Sequence, residues 1–171
     1  LTKVIAFHDQ SLLYYPLKNW RPALNPFWQR LADCTVGIVG LGRIGTAAAL
    51  RLKAFDTNVL FYDPFKPNGS DIALGIRRVD SLESLFSQCD IVTLHLPLNK
   101  ETEKLIDRTV LNHAKPGLVL INTARGPIVD IDALYDAMRA DRVLAAGLDV
   151  LPGEPRKLEK PRSRALQEGA D

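Results

Sequence analysis

The sequence is short of several features that would each have pointed to a class of protein. It holds only two cysteines and three histidines in 171 residues. Cys34 and Cys89 stand far apart in no CxxC arrangement, which argues against a metal centre and a disulfide framework and for a reducing compartment. Both read as core or near-core thiols. No apolar run reaches the length of a membrane span, and the opening LTKVIAFHDQSLLYY lacks the apolar stretch and small-residue cleavage site of a secretory leader. Neither sign of charge dominates: 22 basic against 20 acidic residues leave a formal +2, with no basic stripe to meet nucleic acid. At 46% hydrophobic and 25% charged residues, the chain reads as a soluble, cytoplasmic protein with a small-molecule partner and enough apolar residues for a real core.

From Thr35 onward, short apolar runs alternate with helical patterns, the rhythm of βαβ units. The expected fold class is therefore α/β, a Rossmann-type doubly wound parallel sheet with helices on both faces. TVGIV (Thr35–Val39), NVLFYD (Asn58–Asp63), IVTLHL (Ile91–Leu96), LVLIN (Leu118–Asn122) and VLAAGLDV (Val143–Val150) predict strands. Ile44–Phe55, Asp80–Cys89, Asp107–Lys115 and an ALYDAMRA helix capped by Asp132 predict the helices between them.

Between the first strand and the first helix lies Gly40-Leu41-Gly42-Arg43-Ile44-Gly45. A GxGxxG alone is weak evidence, because glycines recur in turns; its place between strand and helix is what strengthens it. Gly40 permits the turn, Gly42 removes a side chain that would block phosphates, and Gly45 lets the helix lie close to the sheet. Backbone N–H groups near Arg43 and Ile44, backed by the helix dipole, then suit a pyrophosphate. Asp63 follows Gly45 by eighteen residues (63 − 45 = 18) at the end of the next strand. A carboxylate there accepts ribose hydroxyls and repels a 2′-phosphate, so NAD is expected over NADP, with Lys66 nearby as the opposing charge.

GLGRIGTA, the YDP at Tyr62–Pro64, HLPLN (His95–Asn99), INTARGPIVD (Ile121–Asp130) and GLDVLPGEP (Gly147–Pro155) together resemble the D-isomer-specific 2-hydroxyacid dehydrogenases. The resemblance runs from Leu31 to Pro155 and implies the cofactor domain of an NAD-dependent oxidoreductase acting on a small 2-keto or 2-hydroxy acid. It implies Arg43 and Ile44 on the pyrophosphate, Asp63 on the adenine ribose, and Leu96 with Pro97 on the adenosine side, with Thr102 also reaching the cofactor. Thr123, Ala124 and Arg125 are implied at the nicotinamide half, and Asp149 at its carboxamide.

Keto-acid reduction also needs a cation for the substrate carboxylate and an acid for the new alkoxide. Arg125 suits the first, since a guanidinium fork matches a carboxylate. Glu154 matches the family's acidic partner of a catalytic histidine, which follows it by a few tens of residues; this sequence has no histidine after His113. The resemblance therefore predicts that these 171 residues bind cofactor but turn over substrate negligibly. His95, in a buried strand end, is expected beside the cofactor, and His8 and His113 read as ordinary helix or surface residues. Asp56 stands where the family usually has a helix-ending glycine, a place Asp tolerates.

Three segments are expected: 1–33, a helix and linker with Trp20, Phe27 and Trp28 at an inter-domain or dimer contact or over the core; 34–155, the NAD-binding unit; and 156–171, a polar tail. A homodimer is the implied assembly. The alternative within the same resemblance is a non-catalytic or NAD-sensing member like the C-terminal binding protein corepressors, which would place the protein in the nucleus with protein partners.

Overall fold

The computed structural model describes residues 30–152; Trp20, Phe27, Trp28, Glu154, and the segments 1–29 and 153–171 lie outside the described residues. After a 3-10 turn at Leu31–Asp33 come β1 (Thr35–Val39), α1 (Arg43–Lys53), β2 (Asn58–Tyr62), α2 (Ser70–Leu74) and β3 (Arg77–Arg78). The second half runs α3 (Leu82–Gln88), β4 (Ile91–Leu94), α4 (Arg108–Asn112), β5 (Leu118–Asn122), a 3-10 turn at Gly126–Ile128, α5 (Ile131–Arg139) and β6 (Val143–Leu148).

The six strands form one sheet in the order β3-β2-β1-β4-β5-β6, with every pairing parallel. Strand order reverses between β1 and β4, the place where such sheets open a crevice at the carboxyl ends of their strands. Their near-continuous apolar runs follow from burial on both faces. Under α1 lie Ile38, Val59 and Phe61, with Leu41, Ala49 and Ile76. The opposite face packs Leu60, Val92, Leu94, Leu118 and Leu120 against Leu85 and Phe86 of α3, Val110 and Leu111 of α4, and Leu134 and Met138 of α5. This is the α/β architecture expected from the alternating pattern.

Side chains start the later helices. Ser81 accepts the Ser84 N–H at 3.0 Å, and Asp107 accepts that of Val110 at 2.9 Å. Asp130, not Asp132, caps α5, accepting from Asp132 and Ala133 at 3.1 and 3.2 Å. Val129 is buried in the core and bridges to Ile106 as extended chain, so Asp130 is the first polar residue at the junction. Asp56 takes φ 58° after α1, the left-handed conformation proposed for it. Strands β4 and β6 stop at Leu94 and Leu148, two residues short of the predicted ends. Cys34 and Cys89 are both buried and form no disulfide; burial raises the Cys34 pKa and pushes that of Cys89 up to about 12. Among the described residues no helix is long and apolar enough to cross a membrane.

Candidate functional site

Because all six strands run the same way, residues that directly follow strand ends gather on one rim. Gly40 follows β1, Asp63 follows β2, His95-Leu96-Pro97 follow β4, Thr123-Ala124-Arg125 follow β5, and Asp149 follows β6. The turn at Gly40 needs φ +88°, and a Cβ there would lie 2.7 Å from Leu96 Cδ2 and 2.8 Å from the His95 carbonyl oxygen, so both conformation and space call for glycine. Its N–H donates to the Tyr62 carbonyl at 2.9 Å, while the His95 N–H donates to that of Val39 at 2.8 Å. Three strand ends are thereby held in contact.

Gly42 stands at the N-cap of α1 in extended backbone and offers no side-chain acceptor to the helix. The first-turn N–H groups of a helix have no intrahelical partner, and a Cβ on Gly42 would meet nothing within 4 Å. This open, uncapped helix start fits the pyrophosphate of a dinucleotide. Arg43 and Ile44 are exposed beside it, Ile44 at 71%. Gly45 is different: a Cβ there would sit 2.0 Å from the Gly40 carbonyl oxygen, so its hydrogen is what lets α1 start against the β1 turn.

Asp63 ties the end of β2 to the glycine loop that follows β1. One carboxylate oxygen accepts the Leu41 N–H at 2.8 Å, and the other accepts the Phe65 N–H at 2.9 Å. A carboxylate has about four lone-pair directions, so acceptor capacity for hydroxyls remains. Leu96 packs against the core while Pro97 is exposed. The Thr102 hydroxyl is spent on its own loop, accepting from the Asn99 N–H at 2.8 Å and donating to the Pro97 carbonyl at 2.7 Å. His95 is half-buried with Nε2 3.1 Å from the Thr93 hydroxyl, and desolvation lowers its pKa, favouring the neutral ring.

Across the rim, the sequence reading missed Asn122. Only 1% exposed, its side chain accepts the Ala124 N–H at 3.0 Å and donates to the Arg125 carbonyl at 2.9 Å. Its own carbonyl accepts the Asp149 N–H at 3.0 Å. One buried amide thus fixes the turn bearing Thr123, Ala124 and Arg125 and links it to Asp149. Its signal in the sequence was a polar residue closing the apolar run LVLIN. Thr123, Arg125 and Asp149 are exposed, and Ala124 is buried under the turn. The Arg125 guanidinium donates to the Ala124 carbonyl at 2.6 Å. A separate depression of about 390 Å³, lined in part by Lys53, Asn58 and Arg77, lies where β2 and β3 begin, at the opposite end of the strands.

Comparison with known proteins agrees with this geometry. The profile of the family described as D-isomer specific 2-hydroxyacid dehydrogenase, NAD binding domain, matches residues 6–166. D-3-phosphoglycerate dehydrogenase of Mycobacterium leprae (strain TN) is 46% identical over 121 residues, which cover 71% of this chain and 23% of that protein. Among solved structures, D-lactate dehydrogenase from Aquifex aeolicus complexed with NAD and lactic acid matches with a TM-score of 0.68 and 38% identity, over 73% of this chain and 37% of that one. The NAD-complexed D-isomer specific 2-hydroxyacid dehydrogenase of Lactobacillus delbrueckii ssp. bulgaricus gives 0.70 and 34%, over 78% and 39%. The match to the curated relative spans about a quarter of that protein's length.

Proposed function

The chain belongs to the D-isomer-specific 2-hydroxyacid dehydrogenases, in the part described as their NAD-binding domain, and from that premise we propose how its rim works. Residues 34–155 are the cofactor-binding unit of an NAD-dependent oxidoreductase that interconverts a small 2-keto acid and its D-2-hydroxy acid. The observation that carries this reading is the uncapped, open start of α1 at Gly42 with Asp63 bonded to the same loop.

NADH, when bound, supplies the hydride; the chain's residues bind, orient and polarise. The N–H groups of Arg43 and Ile44 receive the pyrophosphate. Asp63 accepts the adenosine ribose hydroxyls, and Leu96 and Pro97 flank the adenosine, with Thr102 holding their loop in shape. Thr123 and Ala124 line the nicotinamide half, and Asp149 accepts from the carboxamide and so selects the ring face. The Arg125 guanidinium holds the substrate carboxylate and polarises the keto group, its main chain fixed by Asn122. Glu154 orients and charges a histidine that donates the final proton. A cytoplasmic homodimer joined through this unit belongs to the same reading; exposed Leu50, Phe55 and Phe65 are among the apolar side chains available for contacts.

Turnover requires the histidine-bearing substrate unit, so the test is keto-acid-dependent NADH oxidation by the complete enzyme. Arg125→Ala is expected to lower turnover by about a hundredfold, on the scale of deleting one transition-state charge donor, with little change in NADH affinity. Wild-type turnover in that variant would remove Arg125 from the chemistry.

A further inference from the structure

We propose that Arg78 is a positioning residue for cofactor selectivity: from beneath the loop that carries Asp63, it holds the ribose-side carboxylate where a 2′-phosphate would have to sit. The inference rests on the reading that the end of β2 meets the adenosine ribose.

Strand β3 is only two residues long and pairs with β2 in the register Leu60↔Arg77 and Phe61↔Arg78. From that edge the Arg78 guanidinium lies 5.4 Å from the centroid of the Phe61 ring. Its Nη2 donates to the Lys66 carbonyl at 2.5 Å and, more weakly, to the Asp63 carbonyl at 3.5 Å. Its Nη1 donates to Asn68 Oδ1 at 3.3 Å. One planar cation therefore spans the loop from Asp63 to Asn68.

The loop has little else to hold it. Pro64, Phe65, Pro67, Asn68 and Gly69 are exposed, Phe65 at 85%, so no apolar anchor fixes the turn. Its remaining bonds are the Leu41 N–H of the glycine loop to the Asp63 carboxylate and, locally, the Phe65 N–H to the same carboxylate, a long 3.4 Å bond from the Lys66 N–H to the Asp63 carbonyl, and the Ser70 N–H and hydroxyl to the Pro67 carbonyl. The forked donor geometry is what matters, since it reaches two carbonyls and a side-chain amide at once.

This arrangement bears on selectivity because the loop carries charges of both signs. Asp63 repels a 2′-phosphate, and Lys66, three residues on, attracts one. Selectivity is the difference between two affinities. With Arg78 in place, Asp63 stays bonded to Leu41 of the glycine loop and dominates. Without it, the loop can withdraw the carboxylate and turn Lys66 toward the phosphate. Arg78 thus enforces the choice without touching the cofactor.

The experiment titrates NADH and NADPH, by fluorescence, against the wild-type protein, Arg78→Met, Arg78→Lys and Asn68→Ala, with unfolding temperatures measured in parallel. Met keeps the stem over Phe61, Lys keeps the charge without the fork, and Asn68→Ala removes one tether at an exposed position. The expected result is that the NADH-to-NADPH affinity ratio falls by about tenfold in both Arg78 variants, and less but in the same direction in Asn68→Ala. If Arg78→Met fails to fold, the other two variants decide. An equal loss for both cofactors would make Arg78 merely structural, and a larger loss for NADPH would make it a phosphate ligand; either overturns the proposal. Wild-type protein that binds neither cofactor overturns the ribose-site reading, and this inference with it.

Discussion

Gly42 and Gly45 stand three residues apart in one motif, yet the structure gives them opposite physical roles. Gly42 has φ −72° and ψ −163°, a conformation open to any residue, and nothing lies within 4 Å of its would-be Cβ. Gly45 faces a backbone carbonyl oxygen 2.0 Å from its would-be Cβ, a contact that only movement of α1 can relieve. Serine at Gly42 would cap the helix by accepting from the N–H groups the pyrophosphate needs. Gly42→Ser is therefore expected to fold with an unchanged or slightly higher melting temperature while NADH affinity falls about tenfold or more, equivalent to ~1.4 kcal/mol. Gly45→Ala is expected to lose about 1–3 kcal/mol of stability, as overpacked sites do. Thermal unfolding and cofactor titration of both variants check the contrast; a Gly42→Ser protein that binds NADH normally would show that the glycine serves only the turn.

Among the elements, the end of the sheet opposite the site is tied together by Asp90, between α3 and β4. Its carboxylate accepts the Thr35 N–H at the head of β1 at 2.8 Å and Lys115 Nζ just before β5 at 2.5 Å. Its backbone joins the same strands, donating to the Thr35 carbonyl at 2.9 Å and accepting from the Val119 N–H at 2.8 Å. Desolvation pushes the Asp90 pKa up, but the Lys115 and Thr35 bonds and the Lys115 charge outweigh it, leaving it below the ordinary 3.8. A carboxyl depressed in the folded state contributes stability that is complete above its unfolded pKa and is lost as pH falls through the folded one. Asp90→Asn keeps an acceptor and loses the charge, so it should be less stable than wild type at pH 7, with the gap closing below about pH 3.8. Urea unfolding at both pH values measures it; a gap that persists at low pH would mean the charge contributes nothing. The longer elements were legible in the sequence because their patterns repeat: β1, β2, β4, β5, β6, α1, α3 and α5 each hold several apolar residues at period 2 or 3.6 or in a continuous run. Strand β3 and helix α2 were not, since Arg77-Arg78 and SDIAL are too short to show a period. Arg78 was hidden for the same reason, and Asn122 because its importance lies in bonds to chain on both sides of a turn. The rim itself was legible, because each motif falls just after a strand and a parallel sheet brings those ends together.

At the scale of the whole molecule, helices among the described residues cover both faces of the sheet and leave it open at its edges and ends, and the family motifs gather at one end. Binding and turnover then separate. In the proposed function the rim supplies the cofactor contacts, and the cation at Arg125 serves turnover. The same separation makes the cofactor-site reading testable without any substrate. The most direct measurement is calorimetric titration of NADH and NADPH into the wild-type protein and Asp63→Ala. Asp63 as the ribose acceptor predicts that the wild type binds NADH at least about tenfold more tightly than NADPH, and that Asp63→Ala weakens NADH and narrows or removes the difference. Equal affinities in the wild type, or an Asp63→Ala protein that keeps both NADH affinity and the preference, would contradict it.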